Sequence, residues 1–356
     1  MTASTPAARP SLWAGSPEAF EAAGYKRDAA HLFGRVQRVA TWTDDGPSWP
    51  KESRVIREAF DDALPRIVSR VPSTDGSTRV VLELNDGARI EAVHMPRATK
   101  RPRVTLCISS QVGCAIGCTF CATGRMGLVR NMTAGEIVGQ CLTLMREMGP
   151  ATASSLNLVF MGMGEPLHNV EAVIGALDVL CDVRGLGVAK SRITVSTSGL
   201  VPGIDRLASA KHRPELAISV NEVTDEARRS LMPLTRRYPL AELRGALERW
   251  PQRPHEKLTF EYVVLGGENH SEAHAERLAA FVRGFRHMLN LIPWNAWDGA
   301  AHRAPTDDEV ASFAAALYAR GCLITVRKTR GRDAKGACGT LSTASRRRVG
   351  SAPRAL

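Results

Sequence analysis

Short runs of β-branched and apolar residues recur along the last three-quarters of the chain: RVTLCISS from position 103, LNLVF from 156, RITVS from 192, LAISV from 216, LTFEYVVL from 258, MLNLIPW from 288 and LITVRK from 323. Longer stretches with helical spacing of apolar positions separate them. TAGEIVGQCLTLMREM, starting at Thr133, is one such helix, with Thr133 as N-cap and Glu136 completing a capping box. Strand-length runs alternating with helices predict an α/β fold of parallel βα units, closed or partly closed into a barrel. The segments just after the runs are the polar ones: GMGEP, TSG, NEVTD, GGENH, NAWDG and TRGRD. In a βα barrel those positions form the rim where chemistry is done.

The pattern upstream differs. KESRVIREAFDDALPRIVSRV, positions 51–71, reads as helical, and RVVLELNDGARIEAVHMP, positions 79–96, reads as a hairpin turning at Asp86-Gly87. These divide the chain into an N-terminal helical and hairpin module over 1–96, a barrel core over 97–341 and a basic, disordered tail over 342–356. The basic, proline-bearing stretch PRATKRPR, positions 96–103, marks the first boundary.

Composition narrows the class. With 356 residues and 44% hydrophobic content, the chain can bury a large core. No run reaches the roughly 18–20 apolar residues of a membrane span, and the start has no apolar core of a signal peptide, so a cytoplasmic protein with no membrane partner is expected. In that reducing compartment, eight cysteines point to metal or catalysis rather than to a disulfide framework. The net charge of +11 suits an acidic partner, nucleic acid first. VRKTRGRDAK and SRRRVGSAPRAL concentrate cations near the C-terminal end.

Four of the eight cysteines fall within CISSQVGCAIGCTFCATG, positions 107–124. Cys114, Cys118 and Cys121 put three soft ligands on one loop after a strand, a donor set that selects iron–sulfur clusters or zinc. A structural zinc site uses four ligands, commonly as two separated pairs, and no histidine lies nearby to complete a tetrahedron. A [4Fe-4S] cluster held by three cysteines keeps one iron open for a substrate or cofactor.

The CxxxCxxC loop resembles that of the radical S-adenosylmethionine (SAM) superfamily. The ordered set SSQVGCAIGCTFCATG, NLVFMGMGEPLHN, RITVSTSGLVPGIDRLA, LAISVN…TDEARRSLMPLTRRYPL, FEYVVLGGENH, LIPWN and VRKTRGRDAKGACG is more specific. It resembles the RlmN/Cfr family of radical SAM RNA methyltransferases, over roughly residues 91–341. That resemblance implies a partial (βα)6 radical SAM barrel, a [4Fe-4S] cluster on Cys114, Cys118 and Cys121, two S-adenosylmethionines per turnover, and methylation of an adenosine carbon, C2 or C8, in 23S ribosomal RNA. It further implies an electron donor such as flavodoxin, and a monomer is expected.

Residue roles follow from the same resemblance. Gly164 and Glu165 contact the amino group of S-adenosylmethionine. Ser196, Ser219, Val220, Asn221 and Asn295 fall at its cofactor contacts. Where the family reads S-L-H-A, this chain has Ser219-Val220-Asn221-Glu222, so an imidazole is exchanged for an amide and a carboxylate stands beside it. Cys338 is implied as the methyl carrier, forming an S-methylcysteine. The family mechanism abstracts hydrogen from that methyl with a 5′-deoxyadenosyl radical, and the carbon radical adds to the base. Cys107 then resolves the protein–RNA adduct through a transient disulfide with Cys338. Glu91 falls at a carboxylate proposed to accept a proton. Taken singly, Cys338 reads as a small packing residue and Cys107 as a core strand residue; Cys141, Cys181 and Cys322 carry no assigned role. VRKTRGRDAK is the expected RNA contact. Two alternatives stay open: an RNA-binding iron–sulfur or zinc protein that has lost catalysis, against which Cys107 and Cys338 both count, and a paralogue acting on another RNA.

Overall fold

The computed structural model describes residues 9–25, 27–38, 42–43, 46–47, 49–50, 53–97, 103–148 and 156–342. Most of the basic linker and all of the expected tail except Ser342 lie outside the described residues.

Ten strands form one sheet: β1 Arg66–Pro72, β2 Thr78–Glu83, β3 Arg89–Arg97, β4 Arg103–Cys107, β5 Leu156–Phe160, β6 Ile193–Thr197, β7 Glu215–Ser219, β8 Leu258–Val264, β9 His287–Pro293 and β10 Ile324–Val326. Their order across the sheet is their order in the chain. β1 to β4 pair antiparallel, and β4 to β10 pair parallel throughout. Among the described residues β1 and β10 are the two free edges, so the sheet is open. Six βα units followed by the short strand β10 make up the parallel part, which is the expected partial barrel.

The parallel strands form where the alternation predicts them. β5 and β6 bury every second residue, so Leu156, Leu158, Phe160, Ile193 and Val195 face the core. The crossovers carry helices Ala134–Met148, Val170–Cys181, Val201–Ala208, Leu240–Arg249, Glu272–Val282 and Asp307–Tyr318. The first of these starts as expected: Glu136 N donates to Thr133 Oγ1 at 3.1 Å and Thr133 N donates to Glu136 Oε2 at 2.8 Å. None of the described helices is long and apolar enough to cross a membrane.

One expectation is corrected upstream of the hairpin. The helix anticipated across 51–71 is confined to Arg54–Ala59, and residues 66–72 form β1. Pro65 lacks an N–H and biases its predecessor away from helix, so the helix cannot run through it. Ile67, Val68 and Val71 are β-branched, and the edge of β2 offers them a ladder. The hairpin itself is as predicted, with Gly87 at φ +82° supplying its turn. Because β3 pairs with β4, the hairpin extends the barrel's own sheet.

Most of the apolar interior is one continuous core between sheet and helices. A second, smaller cluster joins Ile116, Phe120, Met232, Tyr238, Leu265 and Trp294 around the cysteine loop, above the strand ends.

Candidate active site

The cysteine loop runs from the short strand Gln111–Gly113 to the helix Ala122–Met126. Its backbone is tied on several sides. Cys114 N donates to Gly127 O at 3.0 Å, Thr119 N to Leu231 O at 3.0 Å and Ala122 N to Gly339 O at 2.8 Å. The indoles of Trp294 and Trp297 both donate to Phe120 O, at 2.9 and 3.1 Å. Such fixation presets where three thiols stand before anything binds.

Cys114, Cys118 and Cys121 line one cavity of about 160 Å³, together with Gly164, Glu165, Ser196, Ser219 and Cys338. Burial pushes the Cys114 thiol up to about 12, and it raises Cys118 and Cys121 as well. Cys118 is raised further by the charges of Cys114 and Cys121. A bound cation would have to displace those protons and would neutralise the mutual repulsion of the thiolates. Among the described residues, no three His, Cys, Asp or Glu side chains converge on a point that would hold one ion. The three thiols share the wall of one cavity, a soft donor set that suits an iron–sulfur cluster.

Glu165 is aimed by its neighbours. Its Oε2 accepts from Ser198 N at 2.8 Å and Ser198 Oγ at 2.7 Å, and its Oε1 accepts from Leu167 N at 3.0 Å. Gly164 has φ +104°, and a Cβ there would stand 2.6 Å from Gln111 Cβ, so the turn accepts only glycine. Ser196 Oγ donates to Glu261 Oε2 at 2.6 Å, while Glu261 Oε1 is buried without a hydrogen-bond partner. A carboxylate oxygen without a hydrogen bond on the wall of this mainly apolar cavity is an acceptor available to a ligand.

A second, smaller cavity of about 20 Å³ adjoins it, lined by Cys107, Met161, Asn295, Arg327 and Cys338. Cys338 thus borders both. Asn295 Nδ2 donates to Cys338 O at 3.3 Å, and Asn295 Oδ1 is buried without a partner. Burial pushes the Cys107 thiol up to about 12, with the charge of Cys338 adding to it. Arg327 is raised first by Cys338 and further by Glu261 and Cys107, so one cation serves both sulfurs. Its Nη1 lies 3.6 Å from Glu261 Oε1. All eight cysteines are free thiols.

The structure thus gathers the residues singled out in the sequence into two adjoining groups: Cys114, Cys118, Cys121, Gly164, Glu165, Ser196 and Ser219 at one, Cys107 and Asn295 at the other, and Cys338 at both. Val220 and Asn221 do not line either cavity. Asn221 is buried at φ +60°, its Oδ1 accepting from Val263 N at 2.9 Å and its Nδ2 facing Met232 Sδ at 3.3 Å. Its amide braces the ends of neighbouring strands. Glu91 also stands apart from both cavities and is 1% exposed, so it is no surface charge. It pairs with Arg79 at 2.6 Å and accepts from Ser342 N at 3.1 Å, and burial raises its pKa.

The basic stretch is less uniform than its sequence suggests. Arg327 turns inward to the cysteines, and Arg330 donates to Asp75 O at 2.9 Å. Lys328 and Arg332 are exposed. The residues that sequence reasoning missed are Glu261, Ser198, Arg327 as a site residue, and Trp294. Glu261 carried a visible signal, a carboxylate inside the apolar run LTFEYVVL.

Residues 108–279 match the Radical SAM superfamily. A dual-specificity RNA methyltransferase RlmN from Anaeromyxobacter sp. (strain Fw109-5) is 48% identical over 275 residues, covering 76% of this chain and 72% of that protein. One from Dinoroseobacter shibae (strain DSM 16493 / NCIMB 14021 / DFL 12) is 38% identical over 350 residues, covering 93% and 87%. The crystal structure of a radical SAM methyltransferase from Sphaerobacter thermophilus superposes with a TM-score of 0.85 at 40% identity, covering 93% of this chain and 99% of that one.

Proposed function

Since the chain belongs to the RlmN family of RNA methyltransferases and is a radical SAM methyltransferase, we propose that it methylates an adenosine carbon of RNA, C2 or C8, in 23S ribosomal RNA, through a methylated cysteine. The observation that carries this reading is the position of Cys338 on the wall shared by two cavities, with three thiols across one and Cys107 across the other. A carrier sulfur has to meet the methyl donor on one side and its resolving partner on the other.

Cys114, Cys118 and Cys121 would hold a [4Fe-4S] cluster, which when bound would supply an electron for cleavage of S-adenosylmethionine. Glu165, fixed by Ser198 and Leu167, accepts from the cofactor's ammonium, and the left-handed Gly164 lets the backbone come close. Ser196 and Ser219 offer hydroxyls to its carboxylate or ribose. Two cofactor molecules are used per turnover: Cys338 takes the methyl from one, and the other is cleaved. Arg327 steadies negative charge on Cys338 and Cys107 as each acts as a thiolate. Asn295 holds the Cys338 carbonyl, and its free Oδ1 faces the base or the cofactor. Val220 and Asn221 act from behind, by fixing the strand end that carries Ser219. Glu91 holds the segment after Cys338, and any proton it accepts has to reach it by a rearrangement of that segment.

RNA reaches the rim with its target base unstacked. An external electron donor of the flavodoxin type would reduce the cluster, and the chain works as a monomer with residues 1–96 as its accessory module. The test is to incubate anaerobically reconstituted protein with ribosomal RNA and S-adenosylmethionine labelled in its methyl group. Mass spectrometry of the digested RNA should find the label on C2 or C8 of one adenosine. Label on another nucleoside, or on none while the cluster is loaded, refutes the assignment.

A further inference from the structure

Arg228, on the helix Asp225–Leu231, is completely buried. Its Nε donates to Val220 O at 3.0 Å, its Nη1 to Thr235 Oγ1 at 2.9 Å, and its Nη2 to Ser198 O at 2.6 Å and Ser219 O at 3.2 Å. Every one of these acceptors is neutral. Asp225 acts on it by charge alone, its Oδ1 being taken by Leu240 N. A fully buried cation bonded only to carbonyls and a hydroxyl keeps its whole charge, and removing such a charge from water costs several kcal/mol unless an anion answers it.

The candidate anion belongs to the cysteine loop, whose thiols become thiolates when a metal displaces their protons. Burial draws Arg228 down to about 10, and the charge of Cys118 opposes that more than Asp225 does. The end of the arginine's helix touches the loop directly, since Leu231 O accepts from Thr119 N, the residue after Cys118. Ser198 and Ser219, whose carbonyls the guanidinium holds, both line the cluster cavity.

We propose that Arg228 is the buried counter-charge of the iron–sulfur centre and a positioning residue that sets the centre's reduction potential. This rests on the cluster reading given above. Three thiolates around a [4Fe-4S] core of charge two leave a net charge of minus one, and a single electron from an external low-potential donor makes it minus two. No proton need move at Arg228. A fixed positive charge stabilises the reduced form more than the oxidised one, so its loss lowers the potential.

The test uses the full chain, reconstituted anaerobically, as wild type, Arg228→Gln and Arg228→Lys, with dithionite as reductant. The readouts are iron and sulfide content, near-ultraviolet circular dichroism for the fold, and a potential from an EPR-monitored titration. Lysine keeps the charge but cannot make all four hydrogen bonds, so it separates charge from bonding. Arg228→Gln should either lose iron while still folded or shift the one-electron equilibrium at least tenfold toward the oxidised form, about 59 mV. Arg228→Lys should load and stay within that tenfold of wild type. A glutamine variant that loads fully at the wild-type potential overturns the proposal. So does a lysine variant that loses iron or shifts downward, because then bonding and not charge is what the site needs. Wild-type protein that takes up no iron would instead sink the cluster reading itself.

Discussion

Arg79 joins Glu91 to the loop that carries Cys338: its Nη1 lies 2.6 Å from Glu91 Oε1, and its Nε donates to Ala334 O at 2.7 Å. Glu91 in turn receives Ser342 N, so one buried pair on the hairpin grips the segment on both sides of Cys338. Ser73 and Thr74 add hydrogen bonds to Asp333, and Gly331 N donates to Asp75 Oδ2 at 2.9 Å. The hairpin module is therefore the bed on which the Cys338 loop lies.

Replacing Arg79 with methionine leaves Glu91 buried without its cation, and the expected loss is about 3 kcal/mol in urea unfolding at pH 7. Burial already raises the Glu91 pKa above its ordinary value. A carboxyl whose folded pKa is raised binds more protons folded than unfolded, so stability falls as pH rises through that window. The cost of Arg79→Met should therefore shrink as pH falls from 7 through the raised folded pKa toward about 4.5, the carboxyl's ordinary value. Arg79→Met/Glu91→Gln should recover much of it at pH 7. A loss that is independent of pH and unrelieved by the second substitution would mean the pair is not the source.

The cluster cysteines lie on a loop outside the main core, and their removal should separate metal from fold. Alanine at Cys114, Cys118 or Cys121 should take iron from about four atoms per chain to near zero, with the far-ultraviolet circular dichroism unchanged. One zinc per chain and no iron in the wild type would exclude the radical reading.

Salt dependence of RNA binding distinguishes the exposed cations from Arg327, which is half-buried and turned toward the cysteines. Lys328→Ala/Arg332→Ala should weaken binding and reduce the salt slope by about 1.4 to 1.8, the contribution of two phosphate contacts. Arg327→Met should leave the slope unchanged while slowing methyl transfer to Cys338, because its guanidinium is spent on Cys338, Glu261 and Cys107. A fall in slope with Arg327→Met would place that side chain on the RNA instead.

Much of this was legible from the chain alone, for physical reasons that can be named. Parallel strands announce themselves because β-branched runs buried on a sheet have few alternatives, and Asp86-Gly87 fixes a tight hairpin by its backbone preference. The three thiols were legible because their spacing is local. What depends on distant partners was hidden. Residues 66–72 read as helix until β2 supplies their ladder, and nothing local shows that Arg79 and Ser342 close over Glu91. Asn221 stood out as an exchange for histidine, yet its work in bracing Val263 needs a strand 42 residues away. Nothing local marks Arg228 among the many arginines, since its meaning lies in what surrounds it.

Two cysteines outside the loop, Cys338 and Cys107, give the sharpest test. Cys338 borders both cavities and Cys107 only the smaller, so the two cannot exchange roles: only Cys338 faces the three-thiol cavity where the methyl donor is proposed to bind. Cys338→Ala should reduce RNA methylation below detection at its first step, with iron content and reductive cleavage of S-adenosylmethionine retained. Cys107→Ala leaves the carrier intact but removes the thiol that releases it. It should therefore accumulate protein joined to RNA through Cys338, seen as a slow-migrating species that ribonuclease followed by a protease trims to a peptide bearing one modified nucleotide. Cys107 is buried at the end of β4, and its thiol sits at about 12. Loss of its small side chain should cost no more than about 2 kcal/mol, too little to mimic a folding failure. A Cys107→Ala protein that carries neither methylated Cys338 nor crosslinked nucleotide, while wild type methylates RNA normally, would overturn the assignment of carrier and resolver.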